Sequence, residues 1–234
     1  MIKNYLQGII DIFFPKLCFY CQNQSADYLC QNCYEKIEFL YPPLCRLCSL
    51  PIDNNKSGLC KNCIGAHRSY NRIISVTFYK EPLKELIFLF KYKYYEYLGD
   101  FLSSIMINHL VKIGIDLKMY DFITAVPTHR IKLKEREYNQ TEVLAKFLSN
   151  YFQIPFKNDI IYQIKNKISQ TTLDSKERQE SVKNSFTATK NLKEKKIVLV
   201  DDIFTTGATL EECSRLLKMQ GAQMILGITL CKTP

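Results

Sequence analysis

Lys196-Ile197-Val198-Leu199-Val200-Asp201-Asp202-Ile203-Phe204-Thr205-Thr206-Gly207-Ala208-Thr209 decides how this chain is read. Ile197 to Val200 form an unbroken apolar run bounded by charge, the pattern of a central parallel strand covered on both faces. Asp201 and Asp202 close that run. In an open α/β sheet the carboxyl ends of the strands face the ligand crevice, so paired acids there carry more meaning than acids elsewhere. Thr205, Thr206, Gly207, Ala208 and Thr209 are all small, and Leu210, Cys213, Leu216 and Leu217 then recur at helical spacing until the helix closes near Gln220-Gly221. Such a loop offers free backbone N–H groups and a positive dipole end to an anion. Gly207 lets the backbone approach, and the threonine hydroxyls add donors. The stretch therefore reads as a monophosphate cradle. Asp201 and Asp202 are placed to accept hydrogen bonds from two ribose hydroxyls and to hold, directly or through water, the Mg²⁺ that accompanies a diphosphate. No G-x-x-x-x-G-K-[ST] or G-x-G-x-x-G occurs, which removes the main support for an ATPase or a dinucleotide-binding protein.

Working outward, Asp121 to Pro127 reads as a second strand and Asn139 to Asn150 as an amphipathic helix with Val143, Leu144, Phe147 and Leu148 inward. The segment between them is rich in cations: Arg130, Lys132, Lys134 and Arg136. Lys165 to Arg178, with Gln170, is polar and poor in apolar residues, as expected of a mobile hood over a site. Cys213 and Cys231 lack partners at metal spacing and read as buried apolar residues.

The other eight cysteines form four C-x-x-C pairs, Cys18/Cys21, Cys30/Cys33, Cys45/Cys48 and Cys60/Cys63. Each pair can direct two thiolates at one ion, and two pairs complete the tetrahedral sulfur shell that structural Zn²⁺ prefers. Two zinc ions are implied. Eight residues separate Cys21 from Cys30 and eleven separate Cys48 from Cys60. Pairing in sequence order is favoured, although spacing also allows an interleaved arrangement. Four thiolates leave no open coordination position, so the zinc is expected to be structural. A disulfide framework is disfavoured without an export signal, and fourfold repetition disfavours redox motifs. His67, just beyond the last pair, reads as a surface or linker residue.

A chain of 234 residues, 47% hydrophobic, can bury a proper core. The expected division is an amphipathic helix over 1–17, with Ile2, Leu6, Ile9, Ile10 and Phe13 on one face, a double zinc module over 18–66 and an α/β domain over 70–234. Lys3, Gln7 and Asp11 interrupt the N-terminal run, which is unlike a signal peptide, and no window reaches the roughly 18 uninterrupted apolar residues of a membrane span. A cytoplasmic protein is expected. Of the net charge of +9, residues 1–70 hold 7 Lys/Arg against 5 Asp/Glu and residues 71–234 hold 25 against 18. The basic excess of the larger part suits a polyanionic partner. Tyr92, Tyr94, Tyr95 and Tyr97, interleaved with basic residues after Lys91, could offer stacking surfaces to single-stranded nucleic acid, or could equally be packing residues.

The apolar strand, two acids, two spacers and a T-T-G-small-Thr loop resemble the signature of the phosphoribosyltransferase family. The resemblance implies a type I phosphoribosyltransferase-like domain with a mostly parallel sheet, binding phosphoribosyl diphosphate (PRPP) or a related ribose phosphate with Mg²⁺. Asp201 and Asp202 would then be catalytic, Thr205 to Thr209 would hold the 5-phosphate, and Arg130, Lys132, Lys134 and Arg136, with Gln170 and Arg178 of the hood, would face the pyrophosphate. Val126-Pro127, Arg136-x-x-Asn139-Gln140, Ser169-Gln170, Arg178 and the opening Ile12-Phe13-Phe14-Pro15-x-x-Cys18 resemble, more closely, the competence protein F family, which joins an N-terminal zinc ribbon to such a domain. One position departs: Glu137 follows Arg136 where that family usually has glycine, adding bulk and negative charge beside the proposed anion loop.

The resemblance implies displacement of pyrophosphate from the anomeric carbon, with no residue standing out as a base for the acceptor. It also implies a role in natural competence and DNA uptake, with single-stranded DNA and the uptake machinery as partners. The alternative is a non-catalytic protein that handles single-stranded DNA and uses the ribose-phosphate site for a regulatory ligand or a DNA end.

Overall fold

The computed structural model describes residues 16–53, 57–93, 95–128, 138–164, 185–188 and 191–234. Residues 1–15 of the expected N-terminal helix, Tyr94, the basic segment with Arg130, Lys132, Lys134, Arg136 and Glu137, and the hood with Gln170 and Arg178 lie outside the described residues.

The apolar run becomes the centre of a parallel sheet. Strand β1 spans Arg72–Phe78, β2 Phe122–Ala125, β3 Ile161–Gln163, β4 Phe186–Ala188, β5 Lys196–Phe204 and β6 Met224–Lys232. Four of them form one sheet in the order β1-β6-β5-β2, every neighbour parallel, while β3 and β4 make a separate antiparallel pair. Ile197, Val198, Leu199 and Val200 are fully buried. Val198 and Val200 enter one hydrophobic core, Ile197 and Leu199 the other, because successive side chains of a strand point to opposite faces. Burying four such side chains is worth about 1.5–3 kcal/mol each before entropy is charged against it.

Helix α1 is the short turn Gln31–Tyr34; α2 spans Leu83–Tyr92, α3 Leu98–Lys112, α4 Gln140–Phe152 and α5 Ala208–Met219. Helices α2, α3 and α4 fill the core that holds Val198, and α5 covers the opposite face through Leu210, Cys213 and Leu217. In α4, Leu144 and Leu148 are buried as expected, but Phe147 is 36% exposed; Ala145 takes its place against the sheet. At 100° per residue, positions 145 and 147 lie equally far from the centre of the stripe of 144 and 148, on opposite sides, so what the helix packs against decides which is buried. Strand β5 also runs past the acidic pair to Phe204, because β6 supplies partners that far: Asp201 pairs with Thr229, Ile203 with Cys231 and Phe204 with Lys232. Cys213 and Cys231 are buried, and burial pushes the Cys231 thiol up to about 12.

The segment between the cysteine clusters runs along the edge of β1. Leu40 donates its N–H to Val76 O, Phe78 to Glu38 O and Ile73 to Arg46 O. Ser49 Oγ donates to Ile73 O and accepts from Ser75 N, both at 2.9 Å. An edge strand that would present unpaired backbone groups is thereby covered.

Candidate functional site

The metal clusters follow from local turns. Cys18, Cys21, Cys30 and Cys33 bring their sulfurs within 4.8 Å of one another, as do Cys45, Cys48, Cys60 and Cys63, so pairing is in sequence order. Four thiolates about 2.3 Å from a tetrahedral ion lie about 3.8 Å apart. The Cys21–Cys30 and Cys48–Cys60 separations are both 3.6 Å, and none of the ten cysteines is in a disulfide. The donor set and its size fit Zn²⁺, and its closed shell makes the ion structural. Each cluster joins a different core: Cys18 and Cys33 pack with α2 and α3, Cys45, Cys48 and Cys63 with the α5 side. His67 is exposed, as expected of a surface residue.

Aromatic side chains fasten the first cluster to the α2–α3 connection. Phe19 meets Tyr95 edge-on at 5.7 Å, and Tyr28 meets Tyr97 at 5.7 Å and Phe101 at 5.5 Å. Two of the four tyrosines that the sequence offered as stacking surfaces are thus packing residues. Tyr92 differs. Its ring meets Phe88 at 5.4 Å, and, unlike Tyr95 and Tyr97, it lines the pocket described next.

That pocket, of about 330 Å³, opens at the carboxyl edge of the sheet. Asp201, Asp202, Thr205 and Thr209 line it, and its size lies at the lower end of ordinary ligand sites. Gly207 caps α5 in the left-handed conformation at φ 77°. A β-carbon there would lie 2.7 Å from the Phe204 ring, so the loop can be this tight only with glycine. Thr206 Oγ1 accepts from Ala208 N at 3.3 Å, and Glu211 in the first turn accepts from Ser69 N and Oγ. Asp201 Oδ1 accepts from Asp202 N at 2.9 Å, which orients its carboxylate.

Opposite the acids stands Lys91, from the last turn of α2, with Nζ 2.6 Å from Asp202 Oδ2. Burial by itself would depress this ammonium; Asp202 first and Asp201 second more than offset that and hold its pKa above the ordinary lysine value. Tyr79, Thr128, Gln140 and Thr141 complete the polar wall. Thr128 Oγ1 donates to Asn139 Oδ1 at 2.9 Å and Thr141 Oγ1 to Val126 O at 2.6 Å, which locks the start of α4 to the end of β2. Sequence reading placed Lys91 only at the head of a basic and aromatic stretch. The available signal was its spacing, one turn after Ile87 and beside Phe90 on the buried side of α2.

A double zinc ribbon domain matches residues 9–64 and a phosphoribosyl transferase domain matches residues 140–234. A zinc-ribbon protein carrying a phosphoribosyltransferase domain is thus the class that fold and clusters define. The chain is 29% identical to competence protein F of Haemophilus influenzae, across 91% of this chain and 95% of that one. It is 25% identical to the DNA utilization protein YhgH of Escherichia coli (94% and 98%) and 26% identical to competence protein ComFC of Bacillus subtilis (88% and 84%). The two domain matches and these relatives, each aligned over most of both chains, support a protein of the competence protein F family.

Proposed function

We propose that this protein binds phosphoribosyl diphosphate with Mg²⁺ in the pocket at Thr205 to Thr209 and works in the cytoplasm during natural competence and DNA uptake. One observation carries the reading: Asp201, Asp202, Thr205 and Thr209 converge on a single cavity at the carboxyl edge of the sheet. The threonine hydroxyls and the start of α5 take the 5-phosphate. The two carboxylates would accept from the ribose hydroxyls and would hold the Mg²⁺ that accompanies a diphosphate. Arg130, Lys132 and Arg136, with Gln170 and Arg178 of the hood, are assigned to the pyrophosphate. In this division residues 18–66 form the zinc module and 70–234 the ligand domain. The relatives' names, competence protein and DNA utilization protein, support the process. Among the described residues, no helix is long and apolar enough to cross a membrane.

The reading extends to phosphoribosyl transfer, in which pyrophosphate leaves the anomeric carbon through an oxocarbenium-like transition state. The bound metal would stabilise the departing charge, and the acidic pair would fix the ribose. A second reading is favoured by Tyr92, exposed beside Lys91 at the pocket: a non-catalytic protein that handles single-stranded DNA and seats a DNA end or a regulatory ligand there.

Calorimetry with phosphoribosyl diphosphate, with and without Mg²⁺, tests binding. Wild type should bind with Mg²⁺ dependence and Asp202→Asn should lose at least about tenfold in affinity; millimolar or absent binding by wild type sinks the reading. Pyrophosphate release over a panel of nucleobases and nucleic acids tests turnover. Single-stranded DNA titrated against salt tests the second reading, which predicts a log-linear fall in affinity.

A further inference from the structure

Among the described residues that line the pocket, Lys91 is the single cation, set against two carboxylates. Its position is built. Leu83, Leu86, Ile87 and Phe90 bury the preceding turns of α2, and Tyr95 and Tyr97 fasten the connection that follows under Phe19 and Tyr28. The side chains of Lys91 and Asp202 are only 16% and 14% exposed. An ammonium has three N–H donors; the bond to Asp202 uses one and leaves two for whatever enters the cavity.

We infer that Lys91 is a ligand-binding residue, a tethered cation that keeps bare divalent metal off the acidic pair and transfers its donors to the diphosphate of an incoming phosphoribosyl ligand. Adjacent carboxylates at the mouth of a crevice would by themselves attract a hydrated divalent ion. Lys91 occupies Asp202 Oδ2 and places a positive charge where that ion would sit, so free metal is repelled. A metal complex of a sugar diphosphate is different. It is a net anion, so the same ammonium attracts it, and the metal arrives with phosphate oxygens as its own ligands. The second half of the inference rests on the phosphoribosyl diphosphate reading; the first half rests only on the ion pair.

The test uses full-length, zinc-loaded protein, with Mn²⁺ followed by electron paramagnetic resonance in the absence of sugar phosphate, and phosphoribosyl diphosphate followed by calorimetry. Lys91→Gln should bind Mn²⁺ at least about tenfold tighter than wild type and phosphoribosyl diphosphate at least about tenfold weaker, whereas Lys91→Arg should still exclude Mn²⁺. Unchanged Mn²⁺ affinity in Lys91→Gln overturns the inference. A gain for Mn²⁺ without a loss for the sugar diphosphate, in a wild type that binds it, overturns the transfer alone. No binding of the sugar diphosphate by wild type overturns the functional reading, while the Mn²⁺ arm still decides metal exclusion. Should Lys91→Gln fail to fold, wild type decides: micromolar Mn²⁺ binding without ligand overturns the inference, and Mn²⁺ held only with the sugar diphosphate supports it.

Discussion

Gly207 meets two demands that exclude every other residue type: a backbone at φ 77° and a Phe204 ring where a β-carbon would stand. Gly207→Ala should therefore cost about 1–2 kcal/mol from the left-handed backbone, with a further loss as Phe204 moves. Thermal unfolding reads the stability, and calorimetry should show weakened sugar-phosphate binding. Asp202→Asn strips Lys91 of the nearer of its two counter-charges in a pocket that admits some water, and a loss of about 3 kcal/mol is expected, at the low end for broken buried pairs. Because the Lys91 pKa is raised on folding, the pair's contribution is complete below the ordinary lysine pKa and disappears only as pH climbs through the raised value. Urea unfolding of wild type and Asp202→Asn should thus differ most at neutral pH and converge in strong alkali. At this scale the chain was legible at Asp201 to Thr209, where residue type and order reveal the chemistry. Lys91 was not: it lies 111 positions from its partner Asp202, and no local pattern announces such a meeting.

Among the elements, β1 leans on a segment outside the sheet. Ser49 is fully buried and its hydroxyl serves both the Ile73 carbonyl and the Ser75 N–H. Ser49→Ala leaves both groups without that partner, and a loss of about 1–3 kcal/mol in urea unfolding is expected with the zinc content unchanged. A serine following C-x-x-C carries no sign of this in sequence, since its partners belong to a strand that begins 23 residues later. Strand β5 and helix α5 were legible because period and capping are local. Phe147 was misread for a related reason: helical spacing gives the stripe, but the width of the buried face depends on what the helix meets.

At the scale of the whole molecule, the two cysteine clusters occupy opposite faces of one sheet, each built into a different core. Cys18→Ser and Cys45→Ser should each lower zinc by about one ion per chain, as measured by elemental analysis. Loss of both ions from one substitution would contradict their independence. The consequences should differ by face. The first cluster supports the connection behind Lys91 through Phe19 and Tyr28. The second supports Tyr70, whose hydroxyl donates to Leu47 O at 3.1 Å and would lie 3.5 Å from a β-carbon at Gly207.

The sequence by itself determined the parallel-sheet core, the acidic pair with its small-residue loop and the eight cysteines that serve as metal ligands, because each is written in residues close along the chain. Only the tertiary structure decided that the cysteines pair in sequence order and flank the sheet, that Tyr95 and Tyr97 pack against Phe19 and Tyr28 while Tyr92 lines the pocket, and that Lys91 closes on Asp202. Those outcomes depend on burial and charge compensation between distant segments, which exist only once the chain has folded around the sheet.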